Sequence, residues 1–300
     1  MYDLIIVGGR PARLTPALYA QPANKTLLVI EKATFGGQIT FSPKVENIPG
    51  FLSVSGNAFA EKLVEQVLEQ GADMEMSEVI ALRDGAVKTV VTDSGEFEGK
   101  AVVIATGAKH RLLGLPKEEQ FIGEGISFCA VCDGAFYKDK TVAVIGGGNS
   151  ALQEALLLSE LAKEVYIVQN LDFLTGEDRL CQQVNERANI RLLLGTTVSA
   201  FLGEDTLTGI AVVSAATGTR QDIPLDGVFV AVGLVPQNEP FAALLTLDAR
   251  GYAKADETCT TGCDGVFVAG DCRTKEVRQV ATAIADGAVA ALAACRYLDT

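Results

Sequence analysis

Short apolar runs that end in glycine and lead into helical periodicity recur along this chain. Residues 4–9 read LIIVGG and residues 142–148 read VAVIGGG, and apolar residues at helical spacing follow each. Both predict a strand, a glycine turn and a helix. Each opener is answered later by a second apolar run closing on glycine, residues 102–107 (VVIATG) and 228–233 (VFVAVG). Between opener and closer, residues 87–97 and 207–223 have a hairpin-like pattern. The chain therefore repeats itself approximately, once in each half. A third glycine-ending run, residues 266–270 (VFVAG), has no partner inside the second unit. The economical topology returns the chain after about residue 241 to complete the first domain, which leaves the second inserted into it. Crossings are expected near residues 112–117 and 236–245.

A strand, a glycine turn and a helix N-terminus together hold a dinucleotide, because free backbone N–H groups and the helix dipole face its pyrophosphate. In the second unit Gly146, Gly148 and Ala151 fit the G-x-G-x-x-G/A pattern, with Asn149 and Ser150 opening the helix. The first unit keeps Gly8, but Arg10 and Arg13 stand where the second and third glycines belong, with Pro11 and Ala12 between them. Pro16 removes a backbone donor from the same helix, a change that can cost ~3 kcal/mol. Glu31 closes the next strand, where an acid should hold a ribose hydroxyl. The second unit has the opposite defect: its glycines are intact, but the strand over residues 165–168 ends in Gln169, Asn170 and Leu171, with Asp172 the nearest acid. No cation stands there for a ribose 2′-phosphate, and no carboxylate for a bare ribose.

Length and composition agree with two domains, since 300 residues, 48% of them apolar, can bury two sizeable cores. The net charge of −13 argues against nucleic acid and anionic membrane surfaces as partners. The chain opens without a basic leader, and no apolar stretch stands out as long enough to span a bilayer, so the expected compartment is the cytoplasm. Seven cysteines in a reducing compartment do not make a disulfide framework, and one histidine, His110, leaves little for a zinc site or a His-dependent triad. No metal site is expected, and His110 reads as a surface residue at a domain crossing.

The closely spaced pair is different. Cys129-Ala130-Val131-Cys132-Asp133 precedes the strand that opens the second unit. A C-x-x-C at a helix start lets two sulfurs close a small ring, and the helix N-terminus favours a thiolate. Asp133 fits as general acid/base, because exchange protonates one leaving thiolate and deprotonates the other thiol. Cys259 and Cys263 are spaced C-x-x-x-C in a Thr/Gly-rich turn and read, with Cys181, Cys272 and Cys295, as incidental small residues.

Several stretches together carry a family resemblance: residues 35–38 (FGGQ), 46–50 (ENIPG), 105–108 (ATGA), 127–137 (SFCAVCDGAFY), 146–151 (GGGNSA) and 265–271 (GVFVAGD) followed by RQVATA at 278–283. The sequence resembles the bacterial low-molecular-weight thioredoxin reductases over nearly its whole length. The resemblance implies an α/β fold of two Rossmann-like dinucleotide-binding domains with three-layer ββα architecture. An FAD-binding domain would comprise residues 1–113 and 242–300, and an NAD(P)-binding-like domain carrying the dithiol would comprise residues 114–241. It implies FAD contacts from Gly8, Pro11, Ala12, Glu31, Gly36, Gly37, Gln38, Asn47, Thr106, Gly107, Asp271, Arg278, Gln279, Val280 and Ala283. Gly146, Gly148, Asn149 and Ser150 would meet a nicotinamide cofactor. It further implies that Cys132 faces the flavin, that Cys129 attacks the disulfide of thioredoxin or a similar small redox protein, that the two domains rotate against each other, and that the chain is a homodimer.

The departures from the family pattern cluster. Arg10 and Arg13 replace flavin-site glycines, Gln169, Asn170 and Leu171 replace a His-Arg-Arg run that holds NADPH, and Leu174 replaces a further arginine. NADPH and NADH are thus in question as donors. A ferredoxin-linked reductase is one alternative, with residues 109–111 and Lys117 as a basic docking patch. A non-catalytic relative with impaired FAD binding is another. Arg10 and Arg13 either obstruct the flavin phosphates or bind them through their guanidinium groups.

Overall fold

The computed structural model describes residues 1–8, 11–20, 23–32, 37–41 and 45–300, the side chains of residues 11, 13, 38 and 41 excepted. The chain divides into two compact units, residues 1–109 with 235–300, and residues 110–234. Both divisions fall a few residues before the crossings drawn at 113/114 and 241/242 from the sequence.

The discontinuous unit is built on a mixed sheet. Tyr2–Val7 lies between Leu27–Glu31 and Glu96–Ile104, both parallel to it, and Asp73–Met76 extends the Leu27–Glu31 side. Lys88–Thr92 and Val79–Arg83 add antiparallel strands beyond Glu96–Ile104, and Val266–Val268 pairs with that strand in parallel. Both faces of the central strands are covered, which is why they read as unbroken apolar runs. Leu4, Ile6, Val29 and Val103 pack with Leu14, Phe59, Leu63 and Ala290 from the helices Pro11–Ala20, Gly56–Glu69 and Val280–Leu298. Ile5, Val7, Ile30 and Ile104 turn the other way, onto Leu82, Val90 and Phe241.

Pro16 sits inside the unbroken helix Pro11–Ala20. Its missing N–H would have bonded the carbonyl of Ala12, and that oxygen faces Gly287 of Val280–Leu298, 2.7 Å from where a Cβ would stand. Gly287 thus lets the two helices meet closely at the defect. Val280–Leu298 also corrects the expectation that no segment could cross a bilayer. By length and composition it could. Its Ala283, Gly287, Ala290, Ala291 and Ala294 are nevertheless buried within this unit, so its apolar character serves a core.

The continuous unit has a five-stranded parallel sheet in the order Ile190–Leu193, Glu164–Val168, Thr141–Ile145, Gly227–Val230 and Ile126–Ser127. One face carries Asn149–Ser159 and Asp178–Glu186, and the other faces the antiparallel ribbon Thr196–Gly203, Leu207–Ser214 and Arg220–Pro224. Each unit is thus a three-layer Rossmann-like α/β body, as the family resemblance implies. Strand register makes the two turns equivalent. Val7 is level with Ile30 and Ile145 with Val168, which matches Gly8 to Gly146 and Glu31 to Gln169.

Candidate functional site

The reactive pair sits at the start of a short helix in the continuous unit. Cys129 is extended (φ −152°) and caps Ala130–Asp133, and the Cys129–Cys132 disulfide closes with the two Cα atoms 5.3 Å apart. The N–H groups of Cys132 and Asp133 donate to the Cys129 carbonyl at 3.1 and 3.0 Å, and the Cys132 N–H also lies 3.2 Å from Cys129 Sγ. That donor sits where it can stabilise a thiolate on Cys129 once the bond is reduced. Both cysteines are half-buried and Val131 between them is exposed, so a disulfide of another molecule has a route to the sulfurs.

Ser127 organises the approach to the pair. Its hydroxyl donates to Asp133 Oδ2 at 2.6 Å and accepts from the Cys129 N–H at 3.1 Å. Asp133 Oδ1 is sealed from solvent without a hydrogen-bond partner, and burial pushes the Asp133 carboxyl up against the opposing effect of the Ser127 bond. A carboxyl that holds its proton to higher pH than usual, on the residue next to a redox cysteine, suits proton delivery to a leaving thiolate. Sequence reasoning missed Ser127, whose only signal is a hydroxyl two residues before the first cysteine.

The first glycine turn opens on a cavity of about 220 Å³ in the discontinuous unit, lined by Val7, Gly8, Glu31, Lys32, Ser77 and Thr106 among others. Gly8 has φ +118°, a conformation that favours glycine, and its N–H donates to the Ile30 carbonyl. Glu31 is only 7% exposed where the strand meets the cavity. Thr106 donates to Asn238 Oδ1 at 3.3 Å, and the Gly107 carbonyl accepts from the Gln237 N–H. A glycine with positive φ and a buried acid on one cavity fit a dinucleotide.

A second group of predicted residues gathers around the start of Val280–Leu298. Gln279 caps that helix and accepts from Asn47 Nδ2 at 3.2 Å. The Arg278 guanidinium lies 4.2 Å from the Tyr252 ring centroid and donates to the Asp271 carbonyl at 3.5 Å. Ala12 turns its methyl inward, 2.7 Å from where a Cβ on Gly270 would stand, and Ala283 flanks the same glycine. Gly37 begins the short turn Gly37–Phe41 with φ +63°. Arg10 and Gly36 lie outside the described residues, as do the side chains of Pro11, Arg13 and Gln38.

The second turn is closed by its own chain. Gly146 repeats the Gly8 geometry, with φ +132° and its N–H on the Val168 carbonyl at 2.9 Å. Gln169 is buried, and its amide packs within 2.6 Å of where a Cβ on Gly147 would stand while reaching the Phe173 carbonyl. The N–H groups of Thr175 and Gly176 both donate to the Gly147 carbonyl, at 2.8 and 3.1 Å. Asn149 is engaged at both ends of its amide, by the N–H and the carboxylate of Glu177. The residue in the ribose position is therefore spent on internal contacts, and the adjoining segment brings Asp172, Glu177 and Asp178 before its first cation, Arg179. Ser150, exposed at the start of the same helix, has no described contact.

The remaining cysteines behave as the sequence suggests: Cys259, Cys272 and Cys295 are buried, and burial pushes the Cys259 thiol up to about 12. His110 is half-buried rather than on the surface, its ring stacked on Phe128 at 4.4 Å. Lys117 donates to the Gly203 carbonyl, so it is not held as part of a bare basic patch.

Residues 2–287 match the family described as pyridine nucleotide-disulphide oxidoreductase. A thioredoxin reductase of Listeria innocua is 38% identical, with 100% of this chain aligned to 94% of that protein. One of Treponema pallidum is 39% identical, over 100% of this chain and 98% of its own length. The crystal structure of the Streptococcus pyogenes thioredoxin reductase superposes with a TM-score of 0.93 at 36% identity, covering 100% of this chain and 98% of that one.

Proposed function

Because this chain belongs to the pyridine nucleotide-disulphide oxidoreductases, and among them to the low-molecular-weight thioredoxin reductases, we propose that it carries electrons from FAD through Cys129 and Cys132 to a protein disulfide such as that of thioredoxin. The observation that carries this reading is the Cys129–Cys132 disulfide at a helix start, with Asp133 and Ser127 arranged around it. FAD, on which the family depends, supplies the electron pair when bound.

Gly8, Pro11, Ala12, Glu31, Gly36, Gly37, Gln38, Asn47, Thr106, Gly107, Asp271, Arg278, Gln279, Val280 and Ala283 hold the flavin in this reading. The cavity at Gly8 and the buried Glu31 support it, the carboxylate serving as ribose acceptor. Cys132 receives the electron pair as the Cys129–Cys132 bond opens. Asp133 protonates the outgoing sulfur, and Ser127 keeps the carboxyl aligned. Cys129, as thiolate, then attacks the substrate disulfide. Cys132 resolves the mixed disulfide, releasing the substrate as a dithiol and re-forming the bond within the helix, while Asp133 handles the Cys132 proton. Two electrons pass to the substrate per cycle, Asp133 regains the proton it lent, and the two substrate thiolates released take their protons from solvent.

A second reading concerns the donor. The self-closed turn at Gly147, with Gln169 in the ribose position and acids beside it, favours a reductant other than NADPH or NADH, such as a ferredoxin. Gly146, Gly148, Asn149 and Ser150 then keep the shape of a nicotinamide site without its use. We place the reaction in the cytoplasm, where buried free thiols persist, and the protein as a homodimer by family likeness.

Anaerobic visible spectroscopy tests both readings. The purified protein should be yellow, or become so with FAD, and once reduced should pass electrons to thioredoxin. Bleaching by NADPH would remove the second reading, and bleaching only by reduced ferredoxin would support it. A colourless protein that FAD cannot reconstitute would overturn the assignment.

A further inference from the structure

A buried carboxylate lies where two of the chain segments assigned to the flavin come together. Asp286 stands in the middle of Val280–Leu298 and is 6% exposed. Arg273 grips it through Nε and Nη2, both at 2.8 Å, Lys275 Nζ reaches Oδ2 at 3.0 Å, and the Gly270 N–H donates to the same oxygen at 2.9 Å. The Arg273 and Lys275 side chains are buried with it, and the exposed Glu257 meets Arg273 at 3.5 Å. One carboxylate thus fixes the chain at residues 270, 273 and 275. Asp271 lies inside that bracket, and the segment runs on to Arg278, whose guanidinium donates to the Asp271 and Arg273 carbonyls. The next residue of the helix, Gly287, faces the other segment. The Ala12 carbonyl lies 2.7 Å from where its Cβ would stand, and the Ala12 methyl lies 2.7 Å from the corresponding point on Gly270. Adjacent residues of one helix therefore set Pro11–Ala20 against residues 270–278.

We propose that Asp286 is a positioning residue for FAD: through Arg273, Lys275 and the Gly270 N–H it fixes the course of residues 270–278, and so presents Asp271 and Arg278 to the flavin in register with Pro11 and Ala12. The inference rests on the reading that these residues meet FAD. A carboxylate suits the task, because charge-assisted bonds from a forked guanidinium and an ammonium fix direction as well as distance, and burial keeps water from competing for them. Stability alone does not call for it. Desolvation of three buried charges offsets their attraction, and apolar side chains of similar volume would hold the fold as well.

The test follows FAD leaving the yellow holoprotein, read as the rise in flavin fluorescence after dilution, together with the visible circular dichroism of the bound flavin and the urea midpoint. Asp286→Asn keeps the size of the side chain and removes its charge, and should release FAD about tenfold faster with an altered visible dichroism. Replacing the whole cluster, Arg273→Met and Lys275→Met with Asp286→Leu, should return the urea midpoint to near the wild-type value while FAD still leaves about tenfold faster. That variant carries the test if the asparagine variant fails to fold. Wild-type release from Asp286→Asn would overturn the proposal. So would release that follows the urea midpoint across the variants, fast only where the midpoint falls, because the cluster would then serve the fold alone. Failure of the underlying reading looks different: Asp271→Asn and Arg278→Ala would themselves release FAD at the wild-type rate.

Discussion

The two glycine turns of this chain start from nearly the same backbone and end with opposite fates. Gly8 and Gly146 share positive φ and the same hydrogen bond to the neighbouring strand. At the next equivalent position, however, Glu31 borders a cavity, whereas Gln169 folds back over its own turn and is held by Phe173. A Rossmann-like turn is therefore a permissive scaffold, and the side chain closing the second strand decides whether it faces a ligand or its own chain. In the continuous unit the proposed chemistry falls to the short helix that precedes the turn, where Cys129, Cys132 and Asp133 meet.

The sharpest break of this division comes from Asp133. Asp133→Asn should lower disulfide turnover by about a hundredfold or more while leaving the flavin spectrum intact. The sign of the pH effect follows from the raised carboxyl. In the wild type the protonated donor persists above the usual carboxylate range and is lost as pH rises through that raised value, so this limb of the profile should vanish in the variant. Next in size, Glu31→Gln makes the first turn resemble the second and should weaken FAD by about tenfold, measured by equilibrium dialysis, because a charge-assisted acceptor becomes neutral. The reverse exchange, Gln169→Glu, should cost about 1–3 kcal/mol of stability in thermal or urea melts, since it buries a charge and removes the donor to the Phe173 carbonyl. An unchanged melting point for Gln169→Glu would mean that the turn is not closed as described.

The layers and the strand order were legible because each unit spells them in simple periodicities. Residues 4–7, 142–145 and their partners are buried on both faces and hence unbroken, and Lys88–Thr92 alternates. The dithiol was legible because spacing alone closes its ring. The contacts that span long stretches of chain were not. Gln169 read as a missing acid, yet it packs on Gly147. Pro16 read as a lost backbone donor, and Gly287, on a helix near the other end of the chain, receives the carbonyl it frees. Val280–Leu298 is apolar enough for a bilayer or a core, and only its neighbours distinguish the two.

The most direct measurement is an anaerobic reductive titration of the yellow protein with dithionite, comparing wild type with Cys132→Ser. If electrons pass through the pair, the wild type takes up two electron pairs per chain, one for the flavin and one for the Cys129–Cys132 bond, and the variant takes up only one. Uptake of a single pair by both proteins would mean that the disulfide lies off the electron path, and would contradict transfer from flavin to sulfur.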